Sequence, residues 1–395
     1  MADKTDSKNS KTKTTKTAGT TKAAGTAKTK KTTETKKTAS SKKSTAAGSK
    51  MTSKKKTVKL DDIRAYIEDI VMSNLPEADG MSDKVRDAMV YAVEAGGKRV
   101  RPLLMYLTYK AFSVLNKAED KGGVADKAPD KNIDFGGPGS HDKAIDYFMA
   151  ALEMIHTYSL IHDDLPALDN DEMRRGKPTV HKAFGEDIAI LAGDGLLNYA
   201  YETAVKSFIY CPGDTDVEKA MFILASKPGI YGMLGGQTAD VVLTGKKPTA
   251  KQLSYIYSNK TAALLECAMT IGATLARVSG EELDKLQNAA YYIGMAFQVQ
   301  DDILDVTGNP EELGKDVSQD EKNGKVTFVT IYGLDKASEY VKQASDLAIT
   351  LINETYSAFT AKAAKSTGVD TVAESENVYL KLLVDLVKQL IDRKK

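Results

Sequence analysis

The chain has 395 residues, 42% of them apolar and 7% aromatic, with no tryptophan, two cysteines and a formal net charge of +1. Cys211 and Cys267 are too few for a disulfide framework or a zinc site, so a reducing, cytoplasmic setting is expected. No apolar run reaches the roughly 18 residues that a membrane-spanning helix needs.

The near-neutral total hides a division at about residue 57. Residues 1–57 carry seventeen Lys against Asp3, Asp6 and Glu34, a balance of +14, and contain no aromatic residue, so the remaining 338 carry −13. A Lys/Thr/Ala-rich segment cannot bury enough apolar surface to offset its chain entropy, and disorder is expected there. It lacks the apolar core of a secretory signal and the arginines of a transit peptide. It reads as a solubilising or tethering tail whose lysines could contact polyanions without sequence specificity.

From residue 58 to 395 the pattern is helical, within the range of a single large all-α domain. Gly96-Gly97-Lys98-Arg99-Val100-Arg101-Pro102 sets flexible glycines before a group of cations, with a proline tolerated near a helix start. Residues 116–140, rich in Gly, Pro, Asp and Lys, read as a long surface loop inserted between helices. Residues 143–162 place Ile145, Phe148, Met149, Leu152, Ile155, Leu160 and Ile161 close to an i, i+3, i+4, i+7 stripe, predicting a nearly buried helix. Residues 280–300 and 378–390 behave likewise. Asn323-Gly324 follows a charged stretch and signals a loop rather than a hairpin.

Two of these apolar segments end in aspartates: Asp163, Asp164 and Asp169 close the first, and Asp301, Asp302 and Asp305 close the second, 138 positions later. On a helix Asp301 and Asp305 share a face with Asp302 beside them, so three carboxylates can converge. Pro166 disfavours helix at Leu165, so the backbone must loosen to return Asp169 towards Asp163. Asp169-Asn170-Asp171 lacks the glycine and terminal glutamate of an EF-hand loop. One acidic cluster alone is more often a solvated helix face. Two, each after an apolar helix, point to acids in a desolvated cleft, where like charges repel by about 4 kcal/mol per pair at 4 Å and a dielectric near 20. A hard divalent ion with oxygen ligands, Mg²⁺ above all, is the natural partner. Lys98, Arg99, Arg101 and the run Arg174-Arg175-Gly176-Lys177 then read as ligands for phosphate oxygens, arginine offering a planar fork and lysine a point charge. His162 beside the first cluster is expected to be a neutral packed or hydrogen-bonded ring, His141 a loop residue, and His181 structural.

Residues 155–171, with Arg174, Arg175, Gly176, Lys177, Pro178 and Thr179, resemble the first aspartate-rich motif of the trans-isoprenyl diphosphate synthases, bacterial farnesyl and plastid-type geranylgeranyl enzymes among them. Gln298, Val299, Gln300, Asp301, Asp302, Ile303, Leu304 and Asp305, with Gly314, Lys315 and Asp316, resemble the second. The resemblance runs from about Ile63 to Leu390. It implies a helical bundle with a central apolar cavity and a homodimer. It implies an Mg²⁺-dependent prenyltransferase that joins isopentenyl diphosphate to dimethylallyl or geranyl diphosphate. It further implies that Asp163, Asp164, Asp169, Asp301 and Asp305 hold Mg²⁺, three ions in all, with Asp302 in support. Lys98, Arg101, His156 and Arg175 would bind isopentenyl diphosphate. Arg174, Lys260, Lys315 and Lys325 would grip the allylic diphosphate, Thr261 and Gln298 would lie near the reacting carbons, and Gln237 and Asp240 stand where the family has a Gln and an Asp.

Tyr158 lies five residues before Asp163, about 7.5 Å along a helix, where a bulky ring would block a growing chain. In the family an aromatic there accompanies a C15 product, farnesyl diphosphate; ordinary core packing and a C20 product, geranylgeranyl diphosphate, are the alternatives. A terpene cyclase would share the first cluster but not the second diphosphate pocket. A non-catalytic, nucleic-acid-binding role through the basic tail would not require six intact aspartates.

Overall fold

The computed structural model describes residues 58–113, 141–308, 325–367, 376–391 and 393. The basic tail, the 116–140 insertion, Lys315 and Asn323-Gly324 lie outside these residues. The elements are α1 (Leu60–Ser73), α2 (Asp83–Glu94), α3 (Val100–Phe112), α4 (His141–Asp163), β1 (Met173–Arg174), β2 (Lys177–Pro178), α5 (Val180–Phe184), α6 (Glu186–Val205), α7 (Ser207–Tyr210), α8 (Thr215–Ser226), α9 (Met233–Leu243) and α10 (Ala250–Ile256). A π-helix (Tyr257–Ala262) leads into α11 (Ala263–Leu275), followed by α12 (Glu281–Thr307), α13 (Phe328–Tyr332), α14 (Leu334–Thr367) and α15 (Val378–Ile391). Among the described residues the only strands are the two-residue antiparallel pair β1-β2, so the all-α expectation holds.

Helices α3, α4 and α11 form the middle because they are apolar on nearly every face. All but one residue of α11 are buried, and α4 is buried along most of its length, as expected of a helix enclosed on all sides. Around them α6 lies along α4, α12 along α14 and α11, and α15 against α3. Both acidic helix ends are part of this packing: α4 stops at Asp163, and α12 runs through Asp301, Asp302 and Asp305 before ending at Thr307.

Two histidine and arginine contacts correct the sequence reading. His141 is not a loop residue: it opens α4, is 4% exposed, and bridges the carbonyl of Leu275 at 2.6 Å and the Asp214 carboxylate at 2.8 Å. Asp214 also caps α8 through the amides of Asp216 and Val217, so one side chain ties three helices together. Arg99 is not an anion ligand but an internal brace. Its guanidinium, 2% exposed, donates to Glu68, to Glu153 at 2.9 Å and to the Val93 carbonyl. That network holds the left-handed Arg99 (φ 47°) at the start of α3 and so fixes the turn bearing Lys98 and Arg101.

The π-helix is clamped by two glycines. A Cβ on Gly236 of α9 would lie 2.1 Å from the amide nitrogen of Lys260, and one on Gly294 of α12 would lie 2.3 Å from the Ala262 Cβ. Such single π-turns inside helices commonly mark functional positions. Substituting Gly236→Ala is expected to force the backbone of residues 259–260 away from α9 and cost about 1–3 kcal/mol, the usual range for overpacking, read as a lower midpoint in denaturant unfolding.

At the opposite end of α4, Asp146 is 2% exposed, accepts the Tyr66 hydroxyl at 2.5 Å and has Lys143 at 3.8 Å. Burial pushes its carboxyl up from the ordinary 3.8 to about 6, an effect the Tyr66 hydrogen bond only partly offsets. A raised folded-state value means that the folded form favours the protonated acid. The associated stability is complete below about pH 4 and is lost as pH rises through 6. At about 1.4 kcal/mol per pKa unit, unfolding curves should show Asp146→Asn gaining roughly 3 kcal/mol relative to the parent protein between pH 4 and pH 7.

Candidate active site

The first acidic cluster is built by the end of α4. After Asp163 the chain turns at Pro166 and comes back, the Asp169 amide donating to the Asp163 carbonyl at 2.9 Å and the Asn170 amide to the Leu165 carbonyl at 3.1 Å. The return of Asp169 expected from Pro166 is therefore present. Asp164 turns inward, 2% exposed, and receives Arg174 Nε at 2.7 and 2.9 Å. Asp169 has Lys325 at 3.7 Å. The Asp163 carboxylate makes no hydrogen bond or ion pair among the described residues. Burial, reinforced by Asp169 and Asp164 and opposed by Lys260, raises its pKa to about 6.

Arg174 and Arg175 sit on the β1-β2 hairpin. Arg175 (φ 53°) and Gly176 (φ 77°) are its two central residues, and positive φ at both is the signature of a type I′ turn. An arginine in the left-handed region costs roughly 1–2 kcal/mol. What it gains here is placement: its guanidinium donates to the Gly96 carbonyl and lies against Gly97 (φ 142°), where any Cβ would come within 2.8 Å of it.

Arg175 thereby joins Arg101 and His156 in a second, cationic pocket. The Nε of Arg101 is buried without a hydrogen-bond partner, and burial brings its pKa down to about 10. His156 is pushed well below the ordinary histidine range by burial, then by Arg101 and Arg175, and so is a neutral ring. Lys98 stands exposed at the rim. Buried polar atoms without partners are rare in folded proteins, and a group of cations arranged this way calls for an anion.

On the facing wall Lys260 donates to Asp240 at 2.6 Å, and Lys325 lies 4.0 Å from the same carboxylate. Lys325 thus stands between Asp240 and Asp169, linking the two walls. Thr261 donates to Gln298 at 2.7 Å, and Gln298 in turn to Asp302 at 3.3 Å. Lys260, Lys325, Thr261, Gln298 and Asp302 line one cleft together with Asp240, Tyr257 and Thr327. Gln237 Oε1, on the same helix as Asp240, is buried without a hydrogen-bond partner. Tyr158, 9% exposed, meets His162 edge to face at 5.9 Å, and burial raises its hydroxyl to about 12. His162 Nε2 donates to the Ile190 carbonyl at 3.2 Å and lies 3.9 Å from the Asp194 carboxylate. His181 is buried with Nδ1 against Thr179 Oγ1 at 3.1 Å.

The second acidic cluster differs from the expected convergence. Asp301 points to Arg393 at 2.7 Å, whereas Asp302, one residue and about 100° further round the helix, turns into the core. There it accepts the Tyr257 hydroxyl at 2.5 Å and the Phe328 amide at 2.9 Å. Asp305 is buried as well. Among the described residues no three acidic, histidine or cysteine side chains close on a common point. The donor set nonetheless suits a hard cation: carboxylate oxygens at two adjoining helix ends, and on Asp163 a negative charge that burial and two like charges disfavour.

Reasoning from sequence missed Tyr257, Arg393 and the Phe328 amide. Arg393 lies with its guanidinium 3.7 Å from the centre of the Phe297 ring and donates to the Phe297 carbonyl. Nothing in the local sequence around it marks that role. Tyr257 was findable in principle, since it falls one helical turn before Lys260 and Thr261.

Comparison with known proteins agrees with this geometry. The polyprenyl synthetase profile matches residues 82–363. The chain is 39% identical over 262 residues to a farnesyl diphosphate synthase of Geobacillus stearothermophilus, covering 65% of this chain and 77% of that one. It is 42% identical over 262 residues to a chloroplastic geranylgeranyl pyrophosphate synthase of Capsicum annuum, covering 66% and 63%. Among solved structures it is similar to a geranyltransferase of Helicobacter pylori complexed with magnesium and isoprenyl diphosphate, with a TM-score of 0.65, 25% identity, and coverage of 84% and 96%. A profile match across most of the folded chain, on a helical bundle with these facing acidic and basic walls, means that the chain belongs to the polyprenyl synthetase family.

Proposed function

We propose that this prenyltransferase condenses isopentenyl diphosphate with dimethylallyl and then geranyl diphosphate and stops at the C15 product, farnesyl diphosphate. The observation that carries the reading is the presence of two separate anion-seeking walls. One combines carboxylates with Arg174, Lys260 and Lys325; the other, made by Arg101, His156 and Arg175, has no carboxylate partner at its buried Arg101 Nε. Two diphosphates with different jobs explain that asymmetry, whereas a cyclase acting on a single diphosphate does not.

Mg²⁺, three ions in this reading, would be held by Asp163, Asp164, Asp169, Asp301 and Asp305 and supplies the positive charge that neutralises the departing diphosphate. Arg174, Lys260 and Lys325 hold the same group from the protein side, as preorganised charge should where negative charge develops. The allylic C–O bond breaks, and Thr261 and Gln298, tied by their 2.7 Å hydrogen bond, present oxygens near the resulting cation. Lys98, Arg101, His156 and Arg175 hold isopentenyl diphosphate so that its double bond, and not water, reaches that carbon. A new C–C bond forms, and a proton passes to the released diphosphate. A neutral His156 can donate one hydrogen bond without adding to the charge that Arg101 and Arg175 already impose.

Chain length is set in this reading by Tyr158, whose ring, braced by His162, floors the apolar cavity. The identity to a geranylgeranyl pyrophosphate synthase supports the C20 alternative. Helix α6 leaves Ile190, Leu191 and Val205 exposed, and Ile209, Phe222 and Tyr231 are exposed on α7, α8 and the turn before α9. A second copy of the chain is proposed to cover them, giving a homodimer. Cys211 and Cys267, buried and outside any disulfide, fit a cytoplasmic location.

Two measurements test these proposals. Chromatography of products made from isopentenyl diphosphate, each allylic primer and Mg²⁺ should give C15 for the parent enzyme and C20 or longer for Tyr158→Ala; an unchanged length in that variant rejects the floor assignment. Sedimentation should give twice the chain mass, and Phe222→Glu with Tyr231→Glu should shift it to the monomer.

A further inference from the structure

Asp302 accepts hydrogen bonds from three different parts of the chain. Its Oδ2 accepts the Tyr257 hydroxyl at 2.5 Å from the π-helix and the Phe328 amide at 2.9 Å from the start of α13. Its Oδ1 accepts Gln298 Nε2 at 3.3 Å from one turn earlier on α12. The Phe328 amide also lies 3.1 Å from the Tyr257 oxygen, so phenol, carboxylate and amide form a closed triangle. Tyr257 is 6% exposed and Asp302 2%. A carboxylate oxygen has two lone-pair directions, and both on Oδ2 are taken up within the protein.

The consequence reaches the cleft through residues 325–328. Phe328 is three residues after Lys325, and Lys325 is the cation that stands 3.7 Å from Asp169 and 4.0 Å from Asp240. Tyr257 is also the first residue of the π-helix that carries Lys260 and Thr261. One phenol therefore acts on two cations, Lys260 and Lys325, of the wall assigned above to the allylic diphosphate. The pocket of Arg101, His156 and Arg175 is built by α3, α4 and the hairpin, and shares none of these contacts.

We propose that Tyr257 is a positioning residue that acts through Asp302. It fixes the Asp302 carboxylate as a structural tie between α12 and residues 325–328 and so sets Lys325 and Lys260 for one of the two substrates only. This rests on the prenyltransferase reading, which assigns those two lysines to the allylic side. Because the ring of Tyr257 fills the core whether or not it bears a hydroxyl, Tyr257→Phe removes the phenol's hold on Asp302 and on the Phe328 amide while keeping the packing and the direct bond from that amide to Asp302.

The test is steady-state kinetics on the full chain with Tyr257→Phe, Asp302→Asn and the double variant, alongside melting temperatures. Tyr257→Phe is expected to raise KM for geranyl diphosphate about tenfold and leave KM for isopentenyl diphosphate within twofold. Asp302→Asn should give the same split, and adding Tyr257→Phe to it should change neither KM by more than twofold, since both act through one contact. Equal rises in both KM values, additive effects in the double variant, or an unchanged KM in Tyr257→Phe would overturn the proposal. A parent protein that condenses neither substrate would overturn the prenyltransferase reading itself, a different result from an active parent whose Tyr257→Phe variant behaves identically.

Discussion

A half-buried carboxylate that makes no hydrogen bond among the described residues carries its charge at a cost, and Asp163 at the end of α4 is in that position. Burial alone works against its ionised form, and Asp164 and Asp169 work in the same direction. The basic residues around it are already engaged: Arg174 with Asp164, Lys325 beside Asp169, Lys260 with Asp240 and Arg393 with Asp301. The helical bundle therefore maintains a wall on which acids and bases are interleaved, an arrangement that suits the proposed combination of divalent cations and phosphate oxygens.

The rest of the architecture serves to keep that wall dry and in register. Two long apolar helices, α4 and α12, both lie against α11, and Lys325 reaches from Asp169, just after α4, to Asp240. The close approaches at Gly236 and Gly294 hold the π-helix so that Lys260 and Thr261 face Asp240 and Gln298 rather than solvent. Opposite, the Arg99 network with Glu68 and Glu153 fixes the turn before α3. Losing one partner of such a buried pair costs about 3–5 kcal/mol, which is why that arginine belongs to the scaffold while its neighbour Arg101 is left to meet an anion.

Much of this was legible in the residues themselves. The periodic apolar stripes marked α4, α12 and α15 to within a few residues, and Pro166 signalled the turn that returns Asp169. What was not legible depends on partners distant in sequence. Arg99 and Arg101 look alike in the chain, and the hydrogen bonds that Arg99 donates to Glu68 and Glu153, 31 and 54 positions away, separate their roles. His141 follows a Gly/Pro-rich stretch and was read as loop, yet Asp214 and Leu275 make it the anchor of a helix. The expected convergence of Asp301, Asp302 and Asp305 followed from helical geometry, but Tyr257, 45 positions earlier, draws Asp302 away.

The most direct test of the central claim is calorimetric titration of the protein with inorganic pyrophosphate, with and without Mg²⁺, in the parent and in Asp163→Asn. The account predicts binding that tightens at least tenfold when Mg²⁺ is present and loses that gain in Asp163→Asn. Pyrophosphate binding of equal strength with and without Mg²⁺, or a variant as responsive to Mg²⁺ as the parent, would contradict it.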